Sequence, residues 1–404
     1  MKKRSLIISA LCLSVMLSSF TVLGDEEESS EQGAEVEQSE ETAEQEGSDL
    51  ASMNWSDYAV SINGTVLSFP TTFDTLAPLG LENDDDPAAT EIEPNQYGTL
   101  YFKLGDGKVI VEFTNLDINV LPADQTVVTG IQLDKMFLED EPVQIELPGG
   151  IKYGESTLED IENAYGKASD VYEGDYYTKL TYEQDIYNSV ELEVDKETGK
   201  LSSVDIENIK EPENMQKGEV NTDVPEEVAA YTLPESLSDD LNAYEIQVEG
   251  SVYKLPVPVS VLIEDGWTLL PDGTDEIIAA KSFGWVTLSK NNQNISEIVR
   301  NHENYATIPE NCWLGSISLG LQDADLEGSL PGGIHVGMTK DECEKVLADS
   351  GVDVEKDDSS SSYLHYSYGE AYDRIHEITV FTEEDSIYPQ NTVITISVEN
   401  HETE

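Results

Sequence analysis

The sequence predicts an α+β protein of two duplicated domains, each built of two α-β-β-β modules whose antiparallel sheets pack on short helices. Three observations carry this. Two long stretches of the chain match each other residue for residue over many positions. Apolar residues alternate in short runs separated by glycine turns, as half-buried strands require. Short helical patterns with capping signals precede those runs.

The elements follow in chain order. Met1, Lys2, Lys3 and Arg4 precede an apolar run from Leu6 to about Leu17, and small residues end at Val22-Leu23-Gly24. A positive start, a short apolar core and small residues at the cleavage positions predict a signal peptide over residues 1–24. The apolar run is short for a membrane span. Cys12 sits inside that run after Ala10-Leu11, which is not the context of a lipid anchor. The chain is therefore expected to be exported, extracellular or associated with the cell envelope, without stable membrane insertion after cleavage. Residues 25–54 are dominated by Glu, Ser, Gln, Gly and Ala and are expected to form a disordered acidic linker.

The first repeat domain is expected over residues 55–209 and the second over 242–400, with an acidic, proline-containing linker at 210–241. Tyr58-Ala-Val-Ser-Ile-Asn-Gly64 aligns with Tyr244-Glu-Ile-Gln-Val-Glu-Gly250 without a gap. Pro70 then meets Pro256, Gly80 meets Gly266, Asn115 meets Asn301, and Leu147-Pro-Gly-Gly-Ile151 meets Leu330-Pro-Gly-Gly-Ile334. Near the end, Leu180-Thr-Tyr182 is matched to Leu364-His-Tyr366. A weaker repeat is nested inside each copy. Phe69-Pro70, Leu147-Pro148, Leu255-Pro256 and Leu330-Pro331 each introduce a short helical stretch followed by three strand-like runs.

Ser156 with Glu159, and Thr339 with Glu342, read as capping boxes. Leu158, Ile161 and Tyr165 then fall on one helical face, as do Cys343, Val346 and Leu347. Gly166 and Gly351 suit the left-handed position past a helix end. Leu100, Phe102 and Leu104 alternate, Gly105-Asp106-Gly107 turns the chain, and Val109, Val111 and Phe113 alternate back. Val190, Leu192 and Val194 make a second such hairpin with Leu201, Val204 and Ile206. One-sided alternation implies a sheet with one face on helices and one face in water.

Gly154-Glu-Ser-Thr-Leu-Glu-Asp-Ile161 with Gly166, and Gly337-Met-Thr-Lys-Asp-Glu342, each lead into a tyrosine-rich meander. This pattern resembles the β-lactamase-inhibitor-protein-like fold, shared by the BamE-like (SmpA/OmlA) outer-membrane assembly lipoproteins. The resemblance implies a protein-binding sheet surface rather than catalysis. The lipid-anchor cysteine of the lipoproteins is lacking, and no loop identifies a lactamase-binding role.

The 21 basic and 83 acidic residues give a net charge of −62, which repels polyanions and excludes nucleic-acid binding. No cofactor, catalytic set or metal-ligand pattern stands out. The acidic loops Asn83-Asp84-Asp85-Asp86 and Asp272-Gly-Thr-Asp275-Glu276 lack the spacing of a calcium loop and read as solvated. His365 and His376 fall on neighbouring strands, but the first copy has Thr181 and Ser189 there, so the fold does not need them. For Cys312 and Cys343, export permits a disulfide, and two unpaired core thiols are the alternative.

Tyrosine is the unusual residue, with 19 in the chain. Tyr172, Tyr176, Tyr177, Tyr182 and Tyr187 crowd one meander, and Tyr363, Tyr366, Tyr368 and Tyr372 its counterpart. Strands favour tyrosine for packing alone, yet rings left on an open face suit contact with a protein or glycan. The expected function is a secreted bacterial binding protein using exposed sheet surfaces. The alternatives are a secreted carboxylate-dependent hydrolase and a structural component of the cell envelope.

Overall fold

The alternating runs fold as antiparallel strands, and helices and sheets are mixed along the chain. A computed structural model describes residues 50–138, 143–291, 293–321, 327–383 and 388–402. The expected signal peptide and residues 25–49 of the expected linker lie outside the described residues. Two compact units are present. The first holds residues 50–117 and 121–216, the second residues 118–120 and 217–402.

In the first unit, an eight-stranded sheet runs in the order Asp170–Glu173, Tyr177–Asp185, Asn188–Asp195, Leu201–Asn208, Val127–Asp134, Gly107–Thr114, Tyr97–Leu104 and Leu81–Asn83. All neighbours are antiparallel. Two meanders thus share one sheet, joined where Ile131 pairs with Ile206. Its inner face carries Phe102, Phe113, Ile131, Leu192 and Ile206. Each such fully buried side chain contributes about 1.5–3 kcal/mol of hydrophobic stabilisation. Helix Leu158–Tyr165 joins this core through Ile161 and Tyr165. A smaller sheet pairs Ala59–Ile62 with Thr65–Ser68 and with Ile145–Leu147, which pairs in turn with Ile151–Lys152.

In the second unit the long strands divide between two five-stranded sheets. One contains Phe283–Lys290 and Gln293–Arg300, the other Tyr363–Ala371, Arg374–Phe381 and Thr392–Asn400. The break falls at Gly315, between Trp313–Leu314 and Ser316–Gly320, where the His401 ring fills the space a Cβ would need. Helix Val259–Glu264 is continuous. The matching stretch of the first unit is instead two 3-10 turns, Phe73–Thr75 and Ala77–Leu79. Pro78 accounts for the difference, because it lacks the N–H that an α-helix uses.

Several details recur in both units. Phe69–Pro70 and Leu255–Pro256 are cis, and each preceding carbonyl accepts from a buried asparagine. Asn208 Nδ2 donates to Phe69 O at 2.5 Å and Asn400 Nδ2 to Leu255 O at 2.7 Å. Asn115 Nδ2 donates to Ile92 O, and Asn301 Nδ2 to Ile278 O. Both Pro-Gly-Gly turns place their glycines at positive φ.

The structure corrects five expectations. Leu50–Ser52 is already a 3-10 turn with Leu50 buried, so residues 50–54 are not linker. Residues 217–241 belong to the second unit: Glu226–Ala230 is helical, Val228 and Leu241 are buried, and Thr307 Oγ1 donates to Asn221 O at 2.7 Å. The first capping box is Thr157 with Asp160, one residue later than expected, while Thr339 with Glu342 caps Lys340–Ser350. Each half of the first unit gives the large sheet four strands rather than three, because short, mostly exposed edge strands such as Leu81–Asn83 and Asp170–Glu173 show no alternation of burial. By register, Val190 faces Tyr182 and His376 faces Tyr368, while Ile206 and Val398 flank them on the other side. Tyr182 therefore corresponds to Tyr368, two residues beyond the sequence match with Tyr366.

Candidate functional site

Strand parity divides the nine expected surface tyrosines. Tyr182, Tyr366 and Tyr368 point inward and are buried, which corrects their assignment to an open face. Tyr182 shares its parity with Leu180 and stacks edge-on against Tyr165 at 5.4 Å. The Tyr366 hydroxyl donates to Glu344 Oε1 at 2.7 Å. Tyr177, Tyr187 and Tyr363 are half-buried. Of the nine, Tyr172, Tyr176 and Tyr372 are exposed. Tyr172 and Tyr177 touch, with ring centroids 5.9 Å apart, and Tyr176 lies in the turn between their strands. Tyr372 sits in a hairpin turn of the second unit.

A second set of exposed rings lies on the strands that precede these meanders. In the second unit Phe283 is 61% and Trp285 52% exposed, beside Ile277 at 46%. Alternation forces this, because Val286 and Leu288 take the core side of Phe283–Lys290. The same alternation is visible in the sequence, where Phe283 and Trp285 share one parity and Val286 and Leu288 the other. The strand is held firmly behind the indole. Trp285 N donates to Asp275 Oδ2 at 2.7 Å, Thr287 N to Thr274 Oγ1 at 2.9 Å, and the Thr287 and Ser296 hydroxyls are 2.9 Å apart. These residues bound a shallow depression of about 480 Å³. In the first unit Tyr97 and Tyr101 occupy the outer side of the matching strand, and Tyr101 meets Phe137 at 6.1 Å.

The outer face of the first unit's large sheet carries a carboxylate array. Register sets Glu191 opposite Asp205 and Asp205 opposite Gln132; it also sets Glu207 opposite Gly130, and Gly130 opposite Glu112. Gly130 is required here: a Cβ would fall 2.5 Å from the backbone oxygen of Ile206, and 2.8 Å from Glu112 Oε2. Gln132 Nε2 donates to Glu112 Oε1 at 2.9 Å, and Lys179 pairs with Glu191 at 2.7 Å. Burial, then the Glu207 charge, push Glu112 up to about 7. Burial, then Glu112, Glu191 and Glu207, hold Asp205 well above its ordinary range. Such a face retains protons near neutral pH, the property an acid–base group needs.

The two histidines are not brought together. His365 is exposed, with Nδ1 3.1 Å from Thr379 Oγ1, while His376 is on the buried face of the same sheet. His376 lies between Tyr368, at 4.7 Å and 6°, and Tyr244, at 5.2 Å and 17°. Its Nε2 is 3.0 Å from Ala243 O, and burial lowers its pKa to about 4. In the acidic loops, Asp84 pairs with Lys103 and Lys108, while Asp85 and Asp275 accept from the backbone amides of Tyr101 and Trp285. Among the described residues no group of three His, Cys, Asp or Glu is placed to hold a metal ion. Cys312 and Cys343 are free, buried thiols, so the disulfide alternative is not taken. Each is a core side chain of its own element, Cys312 just past Pro309–Asn311 and Cys343 on the inner face of Lys340–Ser350.

The chain matches no protein-family model and no curated protein.

Proposed function

We propose that this is an exported binding protein whose two units are copies of one α+β design, and that it meets a protein or glycan through aromatic rings on its strands. The observation that carries the reading is the pair Phe283 and Trp285, more than half exposed on a regular strand whose other face is core. Large apolar rings left in water on a braced strand suit a contact surface. The Tyr172–Tyr176–Tyr177 cluster offers the first unit a second such surface. The paired asparagine–carbonyl bonds, cis prolines and Pro-Gly-Gly turns support duplication of the unit. A capped helix leading into a four-stranded meander supports the resemblance to the β-lactamase-inhibitor-protein-like fold.

The test is capture from envelope and culture-medium fractions of the source by the full chain, beside Phe283→Ser/Trp285→Ser and Tyr172→Ser/Tyr176→Ser variants. A partner retained at moderate salt and lost with either variant supports the reading. Partners that both variants retain, or that salt alone removes, refute it.

A carboxylate-dependent hydrolase is the second reading. The raised Glu112 beside Asp205 and Glu207 favours it, and loss of a hydrolytic activity in Glu112→Gln and Asp205→Asn would establish it.

A further inference from the structure

We propose that a cavity in the second unit, which shares no lining residue with the depression beside the exposed strand aromatics, binds a neutral saccharide. The cavity measures about 520 Å³, within the range of small-molecule sites, roughly 300–1,000 Å³. Tyr231, Trp313, Lys254, Glu227, Asn400 and Glu402 are among its lining residues.

Its walls are fixed before any ligand arrives. Tyr231 follows helix Glu226–Ala230, and its hydroxyl donates to Lys254 O at 2.8 Å and accepts from Lys254 N at 3.1 Å. The Tyr231 ring meets Trp313 edge-on at 6.2 Å, and His302 backs the indole at 6.3 Å. Asn400 is held by the Leu255 carbonyl and accepts from Glu402 N at 3.2 Å. Arg374 fixes the Glu402 carboxylate at 3.0 Å. Tyr231, Trp313 and Asn400 therefore lose little side-chain freedom on binding.

The lining selects the ligand class. An anion would face Glu227 and Glu402 inside a chain of net charge −62. A cation would face Lys254, with Arg374 behind Glu402. Both signs of charge together with an amide offer donors and acceptors to hydroxyl groups, and the half-buried Tyr231 ring, packed against the largely buried Trp313 indole, offers an apolar wall to the C–H face of a pyranose. A neutral mono- or disaccharide satisfies all of these at once.

The experiment follows the Trp313 indole N–H resonance, assigned with Trp313→Phe, in the full chain. D-glucose, N-acetyl-D-glucosamine and cellobiose are titrated, with propylammonium and acetate as charged comparators. One saccharide is expected to shift the resonance saturably with a Kd of about 1–10 mM. Ala230→Trp, which plugs the mouth from an exposed position, should abolish the shift, and Glu227→Gln should weaken it about tenfold. The proposal is overturned if no saccharide shifts Trp313 at about 50 mM, if the shift survives in Ala230→Trp, or if only a charged comparator acts. Saccharide shifts confined to Trp285 would also overturn it, while leaving the strand-surface reading standing.

Discussion

Replacing His376 by valine should remove one defined part of the acid sensitivity of the second unit. The imidazole is fully buried between Tyr244 and Tyr368, and Ala243 O is its acceptor. Valine is the residue at the same register in the first unit, where Val190 faces Tyr182. Burial lowers the folded pKa to about 4, whereas an unfolded histidine titrates near 6.5. A depressed histidine is neutral in the folded chain and takes its proton first in the unfolded one. Its stabilising effect is therefore complete above pH 6.5 and is lost as pH falls toward 4. Those two values give a loss of about 1.4 kcal/mol at pH 5.5 and about 2.5 kcal/mol at pH 4.5. Urea unfolding in a Trp55→Phe background would read this, since Trp267, Trp285 and Trp313 all lie in the second unit. The parent should lose that much more stability between pH 7 and 4.5 than His376→Val. Equal pH slopes in the two chains, or an imidazole C–H resonance titrating near pH 6.5, would refute the reasoning.

The remaining expectations concern the first unit, the asparagines and the exposed rings. Glu112, raised to about 7, costs stability as pH rises from its unfolded pKa of about 4.5 through 7, by as much as about 3 kcal/mol at pH 8. Glu112→Gln keeps an acceptor for Gln132 and should flatten that pH dependence in thermal melts. Asn208→Ala and Asn400→Ala leave the Phe69 and Leu255 carbonyls without their side-chain donors, and each should lower denaturant stability of its own unit by about 1–3 kcal/mol. Thr339→Ala removes the cap of Lys340–Ser350 at a cost of about 1 kcal/mol, visible as earlier urea unfolding. Phe283→Ser/Trp285→Ser should leave melting nearly unchanged, within about 0.5 kcal/mol, because exposed rings contribute little to the fold.

Local signals were legible where neighbours in sequence decide the outcome. The Gly105-Asp106 turn and the alternation around it specify the hairpin of Tyr97–Leu104 with Gly107–Thr114, in register from Leu104↔Gly107 outward. The cap at Thr339 is equally local. At Ser156-Thr157 two adjacent hydroxyls compete, and the three-residue spacing alone does not choose; Ser156 Oγ instead accepts from Lys152 N at 3.0 Å. For the tyrosines, residue type says nothing of which face a ring takes, whereas parity with Leu180 already turns Tyr182 inward. Residues 217–241 looked like a linker because composition averages over a window, whereas Val228 and Leu241 dock as single apolar anchors. The cavity beside Trp313 was out of reach, since its walls come from segments far apart in the chain. Likewise, only strand order reveals that Glu112 and Glu207 flank Gly130.

The two core thiols give the second unit a built-in reporter of its own opening. Burial raises Cys312 to about 12 and Cys343 to about 11, so neither offers thiolate to an alkylating reagent while folded. Modification then requires the surrounding strands or helix to part. Cys343 reports release of helix Lys340–Ser350 and Cys312 release of the segment at Pro309–Asn311. Peptide mapping of an alkylation time course separates the two, so local helix loosening and global unfolding become distinct, countable events in a single tube, with no probe added to the chain.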